Sequence, residues 1–325
     1  MSNLAIAAIS VLLATNQPAA VSNLVQSQTG ISIPIAPTND VVELELEKLM
    51  QADNDAREEV DKWIRDNDAF AEKGAGIPRL EMRQKISERF KPVRKGYEDL
   101  IQQHTNRADI RIAYASYLGE LGEEDTAIAQ LESARLIETN NPALWNNLAN
   151  LYGHNGEVKQ AFDCYTRAIA LEPTEPVYYH NFGTTVFLFR KDAKEHYNIN
   201  EQQVFDKALV LYSNAIRLDP NDFKLAADVA QTFYGIKPTR TNDALKAWTN
   251  AFNHATDDSD RQGVHTHFAR VKMHNGRFAE ARSHLNTITN ELYGDLKRRL
   301  SIALATLESN ALKTNAVTKT NVMEK

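Results

Sequence analysis

The strongest constraint on this chain is a sequence period of 34 residues. Residues 142–175 contain two stretches with helical apolar spacing, which are interrupted at 154–156 and end at Pro173. The same pattern recurs on both sides of this segment. One unit cannot bury its own apolar stripe, because only a neighbouring unit can cover that stripe and remove it from water. The sequence therefore predicts an all-α fold of stacked helix pairs.

Within 142–175, small and large apolar residues occupy fixed offsets. They are Trp145, Leu148, Ala149 and Tyr152 on the first helix, and Ala161, Tyr165 and Ala168 on the second. This spacing resembles the tetratricopeptide repeat (TPR) signature, with Ala149 in place of a usual Gly and Tyr165 in place of a usual Phe. The resemblance implies a right-handed α-α superhelix, the TPR solenoid, of about five helix pairs with flanking N- and C-terminal capping helices.

Counting from this unit predicts a TPR array over 108–295. Its units are 108–141, 142–175, 176–222, 223–258 and 262–295. The third unit exceeds the period because thirteen extra residues lie between its two helices. Trp145 and Trp248 hold large apolar positions in this frame. We therefore expect both to be core residues, and replacing either with Ala to cost about 3–5 kcal/mol.

Further helices are predicted on both flanks of the array. The N-terminal helical segment, 40–76, reads as two helices broken at Asp53-Asn54, and 77–107 reads as a degenerate repeat or capping helix pair that divides at Pro92. Residues 296–312 are predicted to form a C-terminal capping helix, because a stack exposes its apolar face at each end. The polar end, 313–325, is predicted to be disordered.

The start of the chain resembles an export signal. The first 39 residues contain no charged side chain, and Leu4 to Ala14 is an apolar run too short to span a bilayer. We expect 1–22 to be a signal peptide cleaved before Asn23, and 23–39 to be a flexible linker. The protein would then be periplasmic or extracellular, without an integral membrane span in the mature chain. Since the leading segment has no Lys or Arg, a cytoplasmic protein with an apolar N-terminal helix is the alternative.

Composition and motifs argue against several classes of function. The formal net charge of -6 does not suit a general nucleic-acid-binding protein, which needs a concentrated basic face. Cys164 is the single cysteine, which excludes an internal disulfide framework. We find no phosphate-binding loop, nucleophile elbow or paired catalytic carboxylates in the sequence, and therefore expect no cofactor and no catalytic residues.

A group of histidines near the C-terminus raises a metal hypothesis. Five of the nine lie close together in sequence, but the nearest pair, His265 and His267, are two apart on a predicted helix and point in different directions. No cysteine and no fixed spacing of histidine and carboxylate supports zinc. We predict no metal site.

In TPR arrays, the first helices of successive repeats form a concave wall that contacts partners. By offset, we expect a protein or peptide segment to contact polar residues and one aromatic residue of this wall: Asn146, Asn150, His180, Asn181, Thr184, Phe187, Lys224, Gln231 and Arg270. The resemblance to chaperone-binding members implies a carboxylate clamp, matched at Asn150, Asn181 and Lys224. Asn146 and Asp228 stand where two cations belong, which argues against capture of a chaperone tail. Asn181 also has a structural interpretation, as a common residue of the first helix.

The extra residues of the third unit allow two interpretations. Phe187, Leu188 and Tyr197 either pack over the widened joint or form an aromatic edge that docks a partner. Asn200 is predicted to cap the next helix, with Gln203 placed for the reciprocal bond. For the whole chain, we predict a non-catalytic scaffold that binds proteins or peptides. The alternative is an accessory subunit of an envelope assembly, or a helical enzyme within one.

Overall fold

The computed structural model describes residues 40–72 and 74–323, with side chains as far as residue 313. Over these residues the chain forms α-helices and two 3-10 turns, without a β-strand. The all-α prediction is confirmed. The chain divides into two compact units, which meet in sequence between Ile199 and Asn200. The predicted signal peptide, 1–22, and linker, 23–39, lie outside the described residues.

The first unit consists of helices joined by short turns. They are α1 (Val41–Ala71), α2 (Arg79–Gln103), α3 (Ala108–Glu120), α4 (Glu124–Ile137), α5 (Pro142–His154), α6 (Val158–Leu171), α7 (Pro176–Leu188) and α8 (Arg190–Tyr197). Helices α3 and α4 pack as a pair, as do α5 and α6. These two pairs are the first two predicted units.

The second unit begins with the helix that completes the predicted third repeat in sequence. Its helices are α9 (Glu201–Leu218), α10 (Phe223–Thr232), α11 (Thr241–Asn253), α12 (Asp258–His274), α13 (Phe278–Thr287) and α14 (Gly294–Met323), with 3-10 turns at Phe233–Gly235 and Glu291–Tyr293. Helices α10 and α11 pack as one pair, and α12 and α13 as the next.

Glycine ends the first helix of three of these pairs. Gly122, Gly156 and Gly276 have φ values of 78°, 87° and 73°. Beyond the first of them, the Glu123 amide donates to the Leu118 carbonyl at 2.9 Å. This bond spans six residues and belongs to the Schellman motif, which satisfies carbonyls at a helix end. Since residues with a Cβ rarely adopt a positive φ, glycine fits this turn, after which the chain reverses into the second helix.

Alanines allow close packing within the pair that matches the signature best. Ala149, Ala161 and Ala168 are fully buried. The two tryptophans differ: Trp248 is 1% exposed, whereas Trp145 is only half-buried, and its Nε1 donates to the Thr139 carbonyl at 2.9 Å. The core prediction is confirmed for Trp248 and is wrong for Trp145, because that ring lies at the edge of the pair beneath the Arg135 guanidinium.

The N-terminal helices are longer than predicted. Helix α1 continues through Asp53, which is buried and paired with Arg57 one turn later, so this polar position does not break the helix. Helix α2 continues through Pro92. Proline removes one backbone donor, but the buried residues Val93 and Tyr97 hold the helix against its neighbours. The predicted pair within 77–107 is therefore a single helix, and it packs against α1.

The insertion after α7 contains an additional helix, α8, that the sequence did not predict. Its Tyr197 ring lies 5.5 Å from the ring of Phe162 on α6, and Ala193 is fully buried. The helix ends at Asn198, which has a positive φ of 51°. The next helix begins with the predicted capping box, in which Asn200 and Gln203 exchange hydrogen bonds. Tyr197 thus packs on the second helix of the preceding repeat.

The last helix, α14, packs on α12 and α13 through the buried residues Leu300 and Leu304. It continues to Met323, whereas 313–325 was predicted to be disordered. No glycine or proline follows Gly294, so nothing in the sequence interrupts propagation of the helix. In the part of the chain that is described, no helix combines the length and apolar character needed to cross a bilayer.

Candidate functional site

The predicted site residues of the first unit lie on α5 and α7, the first helices of consecutive repeats. Residues four apart share one side of a helix, so Asn146 with Asn150, and His180 with Thr184, form two polar rows. We call these residues, together with Asn181, the α5–α7 polar face. Asn150, His180, Asn181 and Thr184 are half-buried, whereas Asn146 is fully buried.

Asn146 and Asn181 join the two helices. The Nδ2 of Asn181 donates to the Oδ1 of Asn146 at 3.2 Å. Since Asn146 has no exposed surface, it is not available for direct contact with a partner in this conformation, which corrects its predicted role. Asn181 has the structural role that was its alternative interpretation, because a buried amide must be hydrogen-bonded.

Asn150 is held from inside the protein by a hydrogen-bonded relay. The Tyr165 hydroxyl, on α6, donates to the Oδ1 of Asn150 at 2.6 Å. Tyr165 in turn accepts from the Thr185 hydroxyl, on α7, at 3.1 Å. The Nδ2 of Asn150 has no acceptor within the described residues and is not a buried atom. The relay therefore occupies the acceptor of this amide and leaves its donors available to the solvent.

Phe187 lies at the end of α7, beside the insertion. Its carbonyl accepts from the Nη1 of Arg190 at 2.9 Å, and the guanidinium of Arg190 lies 5.2 Å from its ring centroid. The neighbouring Leu188 is 60% exposed. Of the three apolar residues considered for a docking edge, Tyr197 is committed to packing, Phe187 is partly covered, and Leu188 offers the largest exposed fraction.

The remaining predicted site residues, Lys224, Gln231 and Arg270, belong to the second unit. Lys224 and Gln231 are exposed on α10, two helical turns apart. Arg270 lies on α12 and is half-buried. The nine predicted residues are therefore described as two sets, one in each unit.

Around Arg270 the structure assembles aromatic residues that sequence reasoning had not assigned to a site. The guanidinium lies 5.5 Å from the ring centroid of Tyr234, whose hydroxyl is 3.0 Å from the Nδ1 of His267. The His267 ring stacks on Trp248 with centroids 3.8 Å apart. We call these four residues the Arg270 cluster. Tyr234 was missed because it belongs to the 3-10 turn after α10, where the repeat frame is irregular.

Protonation in the Arg270 cluster is shifted by its surroundings. Burial, reinforced by the charge of Arg270, lowers the pKa of His267 to about 4, so the ring is neutral near pH 7. Burial raises the pKa of Tyr234 to about 12, although the charge of Arg270 opposes this shift. The neutral His267 ring and the Tyr234 hydroxyl share one hydrogen bond, whose direction follows the tautomer of the ring.

A second histidine group joins α12 to α13. The Nδ1 atoms of His265 and His284 are 2.9 Å apart, and the Nε2 of His284 lies 2.9 Å from the Nζ of Lys272. Burial and the charge of Lys272 lower the pKa of His284 to about 4. His265 and His267 have different neighbours, as their spacing predicted. No group of three or more potential metal ligands occurs in the described part of the chain.

Cys164 lies inside the second repeat. It is buried in α6, and burial raises the pKa of its thiol to about 12. A thiol in this state does not form the reactive thiolate at neutral pH. The α5–α7 polar face and the Arg270 cluster offer hydrogen-bonding groups and one positive charge.

Comparison with known proteins supports the repeat assignment. The model of the family described as "Tetratricopeptide repeat" matches residues 142–175. Residues 142–175 are a tetratricopeptide repeat. TPR proteins bind protein or peptide partners, and the match supports a protein-interaction scaffold.

One relative in sequence is the photosystem I assembly protein Ycf3 of Prochlorococcus marinus (strain MIT 9301), which is 26% identical over 106 residues. These residues are 31% of this chain and 61% of that relative, so the match spans less than two thirds of it.

Solved TPR structures also resemble this chain. The pilF protein of Pseudomonas aeruginosa is 15% identical, with a TM-score of 0.48 over 76% of this chain and 98% of that one. YrrB, described as a TPR protein with an unusual peptide-binding site, is 15% identical, with a TM-score of 0.44 over 67% and 97%. MamA is 18% identical, with a TM-score of 0.42 over 55% and 95%.

Proposed function

We propose that this protein is a non-catalytic scaffold, and that the α5–α7 polar face binds an extended segment of a partner protein. The observation that carries the proposal is the relay from Thr185 through Tyr165 to Asn150. It ends in an amide whose acceptor is used internally and whose donors face outward.

An amide held in this way suits a main-chain carbonyl. Carbonyl groups occur at every residue of an extended peptide, whatever its side chains, and accept hydrogen bonds from fixed donors. Because Tyr165 is buried and orients Asn150, little side-chain freedom is lost when a partner binds. His180 and Thr184 lie on the neighbouring helix, which places further polar groups beside the same segment.

One relative by sequence is named as an assembly protein, which agrees with a scaffold that holds other proteins. The match to it covers only part of each chain, so we propose the general role and not the particular partner.

The test uses a positional library of random hexapeptides with acetylated and amidated ends, and measures the affinity of selected peptides by fluorescence anisotropy. Asn150→Asp is the informative variant, because the new carboxylate still accepts from Tyr165 but cannot donate to a peptide carbonyl. We expect affinity to fall about tenfold, corresponding to the loss of one hydrogen bond and the repulsion of two acceptors.

Gln160→Glu is the matched control. It makes the same change from amide to acid on an exposed residue of α6, outside the polar face. Affinity should stay within about twofold of the wild type, a difference below 0.5 kcal/mol. Equal effects of the two variants, or selection of no peptide at all, would contradict the proposal.

A further inference from the structure

The Arg270 cluster holds a cation that lacks a carboxylate partner. Arg270 is half-buried, yet it makes no ion pair with any described residue. Arg240, in the same unit, shows the usual arrangement: its guanidinium is also largely covered, and it pairs with Asp206 at 2.6 Å. A partly desolvated guanidinium is ordinarily matched by an anion. The structure therefore leaves one positive charge available for a ligand.

The position of this charge is fixed in advance. Tyr234 supports the guanidinium, the Tyr234 hydroxyl is anchored by His267, and His267 is stacked on the buried Trp248. Each residue is thus held by the next, from the surface to the core. A cation fixed in this way loses less conformational freedom on binding than an arginine that moves freely in solvent.

Hydrogen-bond donors outnumber acceptors in the cluster. The buried Nε1 of Trp248 has no hydrogen-bond acceptor within the described residues. The Nδ1 of His267 is already used in its hydrogen bond with Tyr234. Arg270 contributes several further N–H groups and no acceptor. An excess of donors next to a positive charge favours an anionic ligand over a neutral one.

We propose that the Arg270 cluster binds the carboxylate of an Asp or Glu side chain in a partner peptide. The planar guanidinium matches a carboxylate with two parallel hydrogen bonds. Gln231 is exposed near the end of α10, three residues before Tyr234, and carries a further amide donor. This inference rests on the proposed function, since it assigns a side-chain preference to a protein that binds peptides.

The acidic side chain has one place to lie, because Arg270 is a single charge held in position by Tyr234. The expected preference is for one acidic residue at one position of the peptide, and not for a uniformly acidic peptide.

The experiment measures binding of the full chain to the capped hexapeptide library described above, in which both terminal charges are absent. We expect the wild type to prefer Asp or Glu over Asn or Gln about tenfold at one position, as one charge-assisted pair implies. Arg270→Gln should abolish this preference. Arg217→Gln, which removes the same charge from an exposed residue of α9, should preserve it.

Two further measurements test whether misfolding of the variant, or binding of a different carboxylate, explains the result. In the wild type, raising NaCl from 50 to 500 mM should weaken binding of the best acidic peptide more than binding of its Gln counterpart. This measurement needs no variant of the protein. A second library with free C-termini tests whether the site takes a terminal carboxylate instead of a side chain.

The inference is overturned if the capped library shows no acidic preference, if Arg270→Gln retains the preference, or if only free C-termini bind. Binding that lacks an acidic preference but still depends on Asn150 would overturn this inference alone and leave the proposed function intact. If no peptide binds at all, both fail.

Discussion

The α5–α7 polar face and the Arg270 cluster each hold one polar side chain in position, but the supporting groups differ in chemistry. Each holds a polar side chain at the ninth position of a repeat, Asn150 in 142–175 and Arg270 in 262–295. In the first unit the support is a relay of hydroxyl groups. In the second it is a stack of aromatic and imidazole rings.

The difference shows how a repeat can vary its binding chemistry without changing its packing. Positions that close the stack, such as Ala149 and Ala269, are fully buried alanines in both units. The ninth position has no such role, so it can be a neutral donor in one repeat and a cation in another. The ninth side chain is then supported from the second helix of a pair. Tyr165 on α6 holds Asn150 directly, whereas Trp248 on α11 supports Arg270 through the rings between them.

The largest expected effect separates the tryptophans of the two units. Trp248→Ala should lower the free energy of unfolding by about 3–5 kcal/mol, because the ring is buried and the change leaves a cavity. Trp145→Ala should cost about 1–2 kcal/mol, because its half-buried ring excludes less apolar area from water. Urea unfolding followed by circular dichroism measures both. Equal losses would contradict the assignment of Trp145 to the edge.

The next effect tests the hydroxyl relay. Tyr165→Phe keeps the ring but removes the group that joins Thr185 to Asn150, and should lower the free energy of unfolding by about 1–3 kcal/mol. Tyr179→Phe is the matched control. Its hydroxyl donates to the Pro173 carbonyl at an exposed site, so its loss should cost less than about 0.5 kcal/mol. If the relay contributes nothing to stability, the two variants will lose the same free energy of unfolding.

A smaller effect distinguishes the two roles of asparagine on the polar face. Asn181→Ala should cost about 1 kcal/mol, because it removes the hydrogen bond from α7 to buried Asn146. Asn150→Asp retains the acceptor for Tyr165 and should change stability by less than about 0.5 kcal/mol. Thermal unfolding at pH 7 checks both. The reverse order would exchange the structural and the binding roles of these residues.

The smallest predicted effect is a pH dependence in the second unit. The pKa of His284 in the folded chain is about 4, below its ordinary value near 6.5. As the pH falls, the unfolded chain takes up this proton first, so the stabilisation is complete above pH 6.5 and is lost between 6.5 and 4. The neighbouring Lys272 and His265 add positive charge, while Glu280 opposes them.

His284→Gln removes this titrating group. It should reduce the loss of stability between pH 7 and 5 by less than about 1 kcal/mol, because the ring is partly solvated. Urea unfolding at the two pH values gives the difference. His274→Gln makes the same substitution on the exposed end of α12 and is the matched control. A steeper dependence in His284→Gln would contradict the assignment.

The sequence predicted the parts of the fold that depend on local signals. Gly156 ends a helix because of its backbone freedom, and Asn200 caps one with its own side chain. Asp53 and Pro92 misled the prediction, since each is an unfavourable helix residue by local criteria. Tertiary contacts, such as the pairing of Asp53 with Arg57 and the burial of Val93, keep these helices continuous.

The candidate site was only partly predictable. Offsets within the repeat identified Asn150 and Arg270 as polar positions, but could not show that Asn146 is buried, because burial depends on how α5 meets α7. Nor could a sequence pattern assign the Tyr165 hydroxyl to Asn150, since the signature asks only for a ring at that position. Tyr234 escaped because an irregular turn carries it out of the repeat frame.

The proposed contact between the outward donors of Asn150 and a partner carbonyl is tested most directly by the NMR signal of the Asn150 side-chain amide. The resonance is assigned by its disappearance in Asn150→Asp, and the Gln160 amide is assigned likewise with Gln160→Glu. On saturation with a library-selected peptide, we predict a shift of the Asn150 amide and none of the Gln160 amide. An unmoved Asn150 amide, with the peptide bound, would contradict the claim.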